Sequence, residues 1–520
     1  MTLPRPLRAL VLLTGILGGP LAAQLAPVTV PKGLLRLDFG GRFDNWDRRY
    51  VDGVKGDAGA DFTFTPFDGR FLATLDSAEA ALHRVPGAGA ASLSLGNTTS
   101  SMLVNIGTGY IGAAYGITRR LTVFGTVPIV RVRVQNRLGI DTVGATAGIN
   151  PANTTFGSSA GALQTSAFLA QLQAALTTIS TRLNSGAFDA DPTRKALAQQ
   201  ILASGTPLNA ALKDLLPTAA FLPVAGSPAA DALSAPIIAL RGSITTLAEQ
   251  GVTLSDSPAL PVRGPTGTEF EKFATNPAGP LQSRSFEPPV LQYIGDIEVG
   301  AAFTWLDHRA TQGGLAIRSS LAGTVRLRTG QLDRPDDFFD IGTGDRQPDV
   351  QGDLVTDLAH GALGARLSAR YVLQLSGRKD RRVSPPDQPF ALANTLAAVE
   401  WNPGEIIEGS VEPFLRIAPT LSLSAGVRYW SKGADTYKYV RNQAPIAGTT
   451  PDVLAIGSRQ NLTAVFGGLT FSHDGVRSDG TRGLPMDAWL RWETVAASTA
   501  GRVPATQSVS LMLRFYRKGP

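Results

Sequence analysis

The 520-residue chain contains no cysteine. No disulfide can staple it, no thiolate can hold a metal, and no lipid can be attached through an N-terminal cysteine. Histidine is scarce, with four in the whole sequence. His308, His360 and His473 fall in expected turns and His83 in a long loop, and no motif ties a serine or carboxylate to any of them. No catalytic constellation is therefore expected, and no cofactor. Charged residues make up only 17% of the chain against 43% hydrophobic residues, which is not a disordered composition. Beyond the first two dozen residues, no run approaches the ~20 apolar residues of a membrane-spanning helix, so a helical membrane protein is excluded.

The exception lies in "MTLPRPLRALVLLTGILGGPLAAQ", where Arg5 and Arg8 precede an apolar core that closes on Ala22 and Ala23. Residues 1–23 read as a secretory signal peptide. The formal charge of +6 becomes about +4 once these two arginines leave, which gives no nucleic-acid signature.

What the chain does have is period two. Leu35, Leu37, Phe39 and Phe43 alternate with Arg36, Asp38 and Arg42. The pattern returns from Asp296 to Trp305, Leu315 to Arg328, Ala365 to Leu375, Leu421 to Tyr429, Met486 to Glu493 and Ser508 to Phe515. Many segments run about 12 to 17 residues, against ~5–6 for a soluble strand and ~9–11 for a transmembrane one. Aromatics such as Tyr115, Trp305, Tyr429, Trp430, Trp492 and Phe515 sit near segment ends, as a membrane-interface girdle requires. The expected fold is all-β, an antiparallel transmembrane β-barrel of about 12–14 strands with a large, mostly helical loop insert. Closure is compulsory, because lipid cannot hydrogen-bond an open edge.

Thirteen segments are found, near 34–45, 102–117, 120–136, 290–305, 313–329, 350–359, 362–376, 388–401, 406–417, 420–431, 457–472, 484–496 and 505–517. Single-chain bacterial barrels have even numbers. Either a segment between Gln388 and Ile417 is not a spanning strand, or a further one near Asp61 to Leu72 completes the sheet; fourteen is preferred. In the hairpin turning at Thr118-Arg119-Arg120, Val123 and Val127 have odd parity but Val130, Val132 and Val134 even parity. A β-bulge at Pro128 would reconcile the two and turn Arg131 and Arg133 inward.

The stretches "YIGAAYGITRRLTVFGTVPIV", "IGDIEVGAAFTW", "VRLRTG" and "DIGTGDRQPDV" follow the order and spacing of a known family. The chain resembles a bacterial family of outer-membrane transporters whose label comes from the phenol-degradation meta-pathway, itself distantly similar to long-chain hydrocarbon and fatty-acid outer-membrane channels. The resemblance covers roughly 33–136 and 291–517. It implies a barrel without naming a solute. Arg328 stands where the family's "PTG" pattern has proline, and the last aromatics, Phe515 and Tyr516, are followed by four more residues.

The organisation expected is thus a signal peptide at 1–23, first barrel strands at 24–136 with a long loop near 47–100, a helical insert at 137–289 and the remaining strands at 290–520. In the insert, Phe168, Leu172, Leu176, Ile179 and Leu183 recur at helical spacing. Asp191-Pro192 starts a helix that ends near Ser204-Gly205, and Ser227-Pro228 starts another carrying Ile237, Leu240, Ile244 and Leu247. The insert is extracellular or plugs the pore.

Alternation assigns as lumen-lining Arg36, Arg42, Asp296, Glu298, Arg318, Arg326, Arg328, Arg366, Arg370, Arg416, Arg428, Arg491 and Glu493. The arginine surplus points to anionic solutes; the alternative is a paired network that rigidifies a closed barrel. Trp430 and Trp489 are the strong inward aromatics. "DRPDDFFD" holds four carboxylates but lacks the glycine and terminal glutamate of a calcium loop, so no metal is expected. The expected function is a porin-like passive channel in the outer membrane of a diderm bacterium, for small solutes of anionic or aromatic/hydrophobic character. Its partners would be outer-membrane lipid, lipopolysaccharide, the assembly machinery and a small-molecule solute, with no nucleic acid, and the chain would be a monomer. The alternative is a surface or adhesive protein anchored by the barrel, with the insert as binding module.

Overall fold

The computed structural model describes residues 28–308, 314–475 and 483–519. The signal segment expected at 1–23 lies outside them. Twelve antiparallel strands close into a barrel: β1 Leu34–Trp46, β2 Asn97–Gly116, β3 Leu121–Asp141, β4 Glu298–His308, β5 Ala316–Arg326, β6 Asp349–His360, β7 Leu363–Gln374, β8 Ile406–Ala418, β9 Leu421–Lys432, β10 Gln460–His473, β11 Met486–Ala497 and β12 Gln507–Lys518. Sequence neighbours pair throughout, and β1 closes the ring on β12 from Leu34↔Lys518 to Asn45↔Gln507.

The number is twelve, and the preferred fourteen is corrected. Segment 388–401 is the one that does not span: Leu396–Asn402 pairs with Gly377–Arg382 and Thr436–Tyr439 in a separate three-stranded sheet. Its alternation is real, because Ala397, Val399 and Trp401 face a small core with Val383 and Tyr437. Period two reports two unlike faces, whatever the second solvent is. The stretch from Asp61 to Leu72 is no strand either; Phe64, Phe67 and Leu72 leave the barrel's sheet for a hydrophobic core.

The β2–β3 hairpin runs unbroken from Asn97↔Asp141 to Gly116↔Thr122, which removes the bulge expected at Pro128. Val130, Val132 and Val134 therefore face inward, while Arg131 and Arg133 point outward and are exposed. Pro128 is tolerated because the neighbouring strand is itself interrupted there. Leu291–Ile294 pairs with the upper part of β3 and β4 with the lower part, and the Gly295 N–H donates to the Pro128 carbonyl at 2.9 Å. The missing N–H of Pro128 faces that break instead of a ladder.

Every strand shows an outward apolar face. Phe43, Ile111, Val123, Phe303, Leu321, Leu354, Leu367, Val411, Val427, Leu469, Leu490 and Val509 are all exposed. A continuous belt of this kind is unstable in water and is what lipid requires. No helix among the described residues is long and apolar enough to cross a membrane.

The short turns at 117–120, 361–362 and 419–420 share one end of the barrel with the first and last strand ends. Connections 47–96, 142–290, 327–348, 375–405, 433–459 and 498–506 all emerge at the other end, the extracellular one in barrels of this architecture. Four of them build one cap. Helices α1 Ala73–Leu82, α2 Ser159–Asn184, α3 Pro192–Leu215, α4 Pro228–Leu247 and α5 Gly267–Thr275 share a core with Phe338, Phe339 and Phe390 from the later loops. Phe390 is fully buried and meets the rings of Phe62, Phe67, Phe270, Phe286 and Phe338. The same cluster takes in Trp46, Val104, Val130, Val132 and Val134 from the inner face of β1–β3, so the cap is seated in the barrel mouth.

Ser158, Asp191, Ser227 and Thr266 accept backbone N–H groups at the helix starts, and Thr266 forms a complete capping box with Glu269. Helix α3 does not end at Ser204-Gly205 but runs through Pro207 to Leu215. A Cβ on Gly205 would stand 2.5 Å from Leu176 Cδ2, so that glycine serves a close helix crossing and is no cap.

Candidate functional site: the charged lumen

On every strand the residues facing away from the belt line the interior. Facing register positions bring opposite charges together: Asp353↔Arg370↔Glu408, Asp357↔Arg366↔Glu412 and Glu298↔Arg326↔Asp349. The pairs are close, with Arg370–Asp353 at 2.7 Å, Arg366–Asp357 at 2.7 Å, Arg326–Asp349 at 3.1 Å and Arg326–Glu298 at 3.3 Å. Arg428 bridges Glu493 at 2.6 Å and Glu408 at 3.2 Å, Arg42 holds Asp44 at 2.8 Å and reaches Glu493 at 4.0 Å, and Arg491 takes Glu412 at 2.6 Å. A chain of charges thus runs along the inner wall from β1 through β11, β9, β8 and β7 to β6.

Of the residues expected in the lumen, Arg36, Arg42, Glu298, Arg318, Arg326, Arg366, Arg370, Arg428, Arg491 and Glu493 stand on inward register. Arg36 is buried against Asp38, and Arg318 donates to Thr29 Oγ1 at 2.9 Å. Arg416 lies at the short-turn rim and donates to the Gly361 carbonyl at 3.5 Å. One position differs from expectation: Arg328 follows the end of β5 and is exposed. Asp296 sits in the strand break and lines the outer cavity of the interior, where it accepts the Gly330 N–H at 2.7 Å and the Asp345 N–H at 3.4 Å.

The arginine surplus is corrected as well. Asp44, Asp349, Asp353, Asp357 and Glu408 were not assigned inward from the sequence, yet all line the wall and pair the arginines. Arg514 was likewise missed; it stacks over Trp489 at 4.4 Å and lies 3.6 Å from Asp38. The alternation of Val350 and Leu354 with Asp349, Asp353 and Asp357 carried the signal for three of them. Trp430 faces inward between Glu408 and Leu462. Inward phenylalanines lie over cross-strand glycines, Phe124 on Gly300, Phe414 on Gly364 and Phe466 on Gly426, which keeps the rings against the wall.

The interior holds an inner and an outer cavity. The inner one, about 530 Å³, is walled by Arg36, Asp353, Arg370, Arg428, Trp489 and Arg491, among others. Val28 contributes to its wall: the chain before β1 turns into the barrel, where the Val30 N–H donates to Thr122 Oγ1 and Thr29 Oγ1 meets Thr304 Oγ1, each at 2.8 Å. The outer cavity, about 480 Å³, lies between the β2–β3 wall, loop 327–348 and the small sheet. Tyr110 and Glu298 line both and mark the boundary between them.

Lys379 and Arg381 face the outer cavity beside Trp401. Lys379 Nζ lies 3.2 Å from the Trp401 ring centroid. Burial, and then the Arg381 charge, pull its pKa down to about 7. Asp345, on the opposite side, is pushed up by burial and then by neighbouring Asp296.

The histidines stand apart from this interior. His83 Nε2 contacts the Ala91 carbonyl at 2.6 Å, and His473 Nδ1 accepts the Gly475 N–H at 2.8 Å. The carboxylates of Asp333, Asp336, Asp337 and Asp340 go to Arg381, Arg284, the Phe339 N–H and the Arg334 N–H respectively. No group of three or more histidine or acidic residues able to hold a metal occurs among the described residues.

No protein-family model matches the chain, and no curated protein matches it. The phenol-pathway resemblance therefore rests on its motifs. Solved structures do match. An outer membrane channel from Pseudomonas putida F1 aligns at 10% identity with a TM-score of 0.40, covering 95% of this chain and 99% of that one. A FadL homologue of Pseudomonas aeruginosa aligns at 8% identity and TM-score 0.27, over 94% of this chain and 90% of that one. The β domain of the Bordetella autotransporter BrkA aligns at 5% identity and TM-score 0.27, over 92% and 98%.

Proposed function

We propose that the protein is a monomeric, passive outer-membrane channel for small solutes, exported by the signal segment at 1–23 and inserted by the outer-membrane assembly machinery. The observation that carries this reading is the pair of cavities lined by charged side chains inside a lipid-facing wall, meeting at Tyr110 and Glu298. A barrel serving only as an anchor needs no such interior, and ion pairs cost least in a barrel when the interior is wet.

The solute class proposed is an anion with an aromatic or apolar body. Its support is the outer cavity, where Lys379 and Arg381 stand beside the Trp401 ring. An arginine surplus is no longer part of the case, since the wall is closely balanced.

Reversal potentials in planar bilayers under a salt gradient test the lumen claim. Arg326→Ala with Arg370→Ala leaves Glu298, Asp349, Asp353 and Glu408 short of partners, so the anion-to-cation permeability ratio should fall several-fold. A ratio equal to that of the unaltered chain would rule out these residues as lining the conducting path.

A further inference from the structure

Arg131, Arg133 and Arg137 occupy alternate outward positions on the upper part of β3, and all three are exposed. Among the described residues, none of the three forms an ion pair with a carboxylate. Across the two neighbouring strands they face uncharged polar or small residues: Arg133 pairs in register with Asn105, and Arg131 with Gly107 on one side and Gln292 on the other. Below them the same face is apolar, through Leu121, Val123, Val127 and Ile129.

Their height is set by strand geometry. From Leu121 to Ile129 is eight residue steps, about 21 Å of vertical rise at ~3.4 Å per residue and ~40° tilt, and the apolar band of such barrels is about 25 Å tall. Arg131, the next outward position, falls at about 26 Å, at the level of the outer-leaflet headgroups. Arg133 and Arg137 continue upward from there. By register, these are the only basic side chains on the outer face of the upper half of the twelve barrel strands, among the described residues.

The strand extension that carries them is held rigid from behind. Val132 and Val134 are almost fully buried against the cap, together with Val104 of β2. The valines fix the backbone and the arginines are presented by it, which lowers the entropy lost when they bind.

We propose that this face is a docking site for an outer-leaflet lipid with a phosphorylated headgroup, of the lipid A type. The guanidinium groups take the headgroup phosphates by charge-assisted, bidentate hydrogen bonds. The acyl chains lie on Val123, Val127 and Ile129 below. The proposal uses the barrel's place in an outer membrane but not its conductance, so the two readings fail separately.

The test is titration of the full-length folded protein with fluorescent diphosphoryl lipid A in neutral detergent, with heat-modifiable gel mobility as the check on folding. The unaltered chain should bind diphosphoryl more tightly than monophosphoryl lipid A. Arg131→Gln with Arg133→Gln should weaken binding by about tenfold or more while planar-bilayer conductance stays unchanged. Arg119→Gln with Arg120→Gln, at the opposite end of the same strand, should bind as the unaltered chain does. Equal affinity of the Arg131/Arg133 variant, or an equal loss in the Arg119/Arg120 variant, would overturn the proposal. Full competition by inorganic phosphate at the lipid's own concentration would overturn it too, since free phosphate would then be the ligand.

Discussion

Lys379 shows how much of the site lives in single side chains. Its ammonium lies against an aromatic face, and burial beside Arg381 brings its pKa down to about 7. A lysine whose folded pKa is depressed destabilises the fold when protonated. That cost is complete below about 7 and disappears as pH rises toward ~10.4, the unfolded value. Lys379→Met should therefore raise the urea midpoint of the cap at pH 6 and change it little at pH 10. In bilayers, raising pH from 6 to 8.5 neutralises Lys379, so the outer cavity loses positive potential and anion preference should fall. The Lys379→Met variant should show a smaller pH response; an unchanged response would remove Lys379 from the solute path. Parity sets most of the wall arginines opposite the exposed apolar face because each strand presents one such face outward. Which carboxylate each arginine would meet depends on register between strands, and that is long-range information. Asp353 and Glu408 flank Arg370 from strands that the sequence read separately.

Among elements, the strands were legible wherever they touch lipid, and least so where they leave it. The Leu396–Asn402 strand alternates for a small core of its own, and β2 and β3 extend beyond the membrane to pair from Asn97↔Asp141. The Val-Arg alternation at 130–134 implies a change of face at a bulge only if its valines meet lipid. They pack instead against helices that local pattern could not place. Helix α3 passes two residues with low helix propensity because tertiary contact overrides them. Gly205→Val should force Leu176 away and destabilise the cap by about 1–3 kcal/mol. Phe390→Ala, at the centre of the aromatic cluster, should cost about 3–5 kcal/mol. Both are measured by near-ultraviolet circular dichroism in urea, with the barrel's heat-modifiable mobility unchanged. Loss of that mobility in either variant would mean that cap and barrel fold as one unit.

The whole molecule is a barrel with two unlike closures. At the short-turn end, Val28–Val30 fold into the lumen on Thr122 and Thr304. At the other end four loops merge into a cap whose core includes the inner face of β1–β3. Between the two lie the inner and outer cavities. The central claim is that solutes pass along this interior, and that the cap narrows the outer opening. Purified protein in a planar bilayer tests it most directly, comparing the full chain with a form lacking residues 150–280 that keeps heat-modifiable mobility. The account predicts stepwise ion conductance in the full chain and larger steps in the deleted form. Absence of conductance in both forms would contradict it.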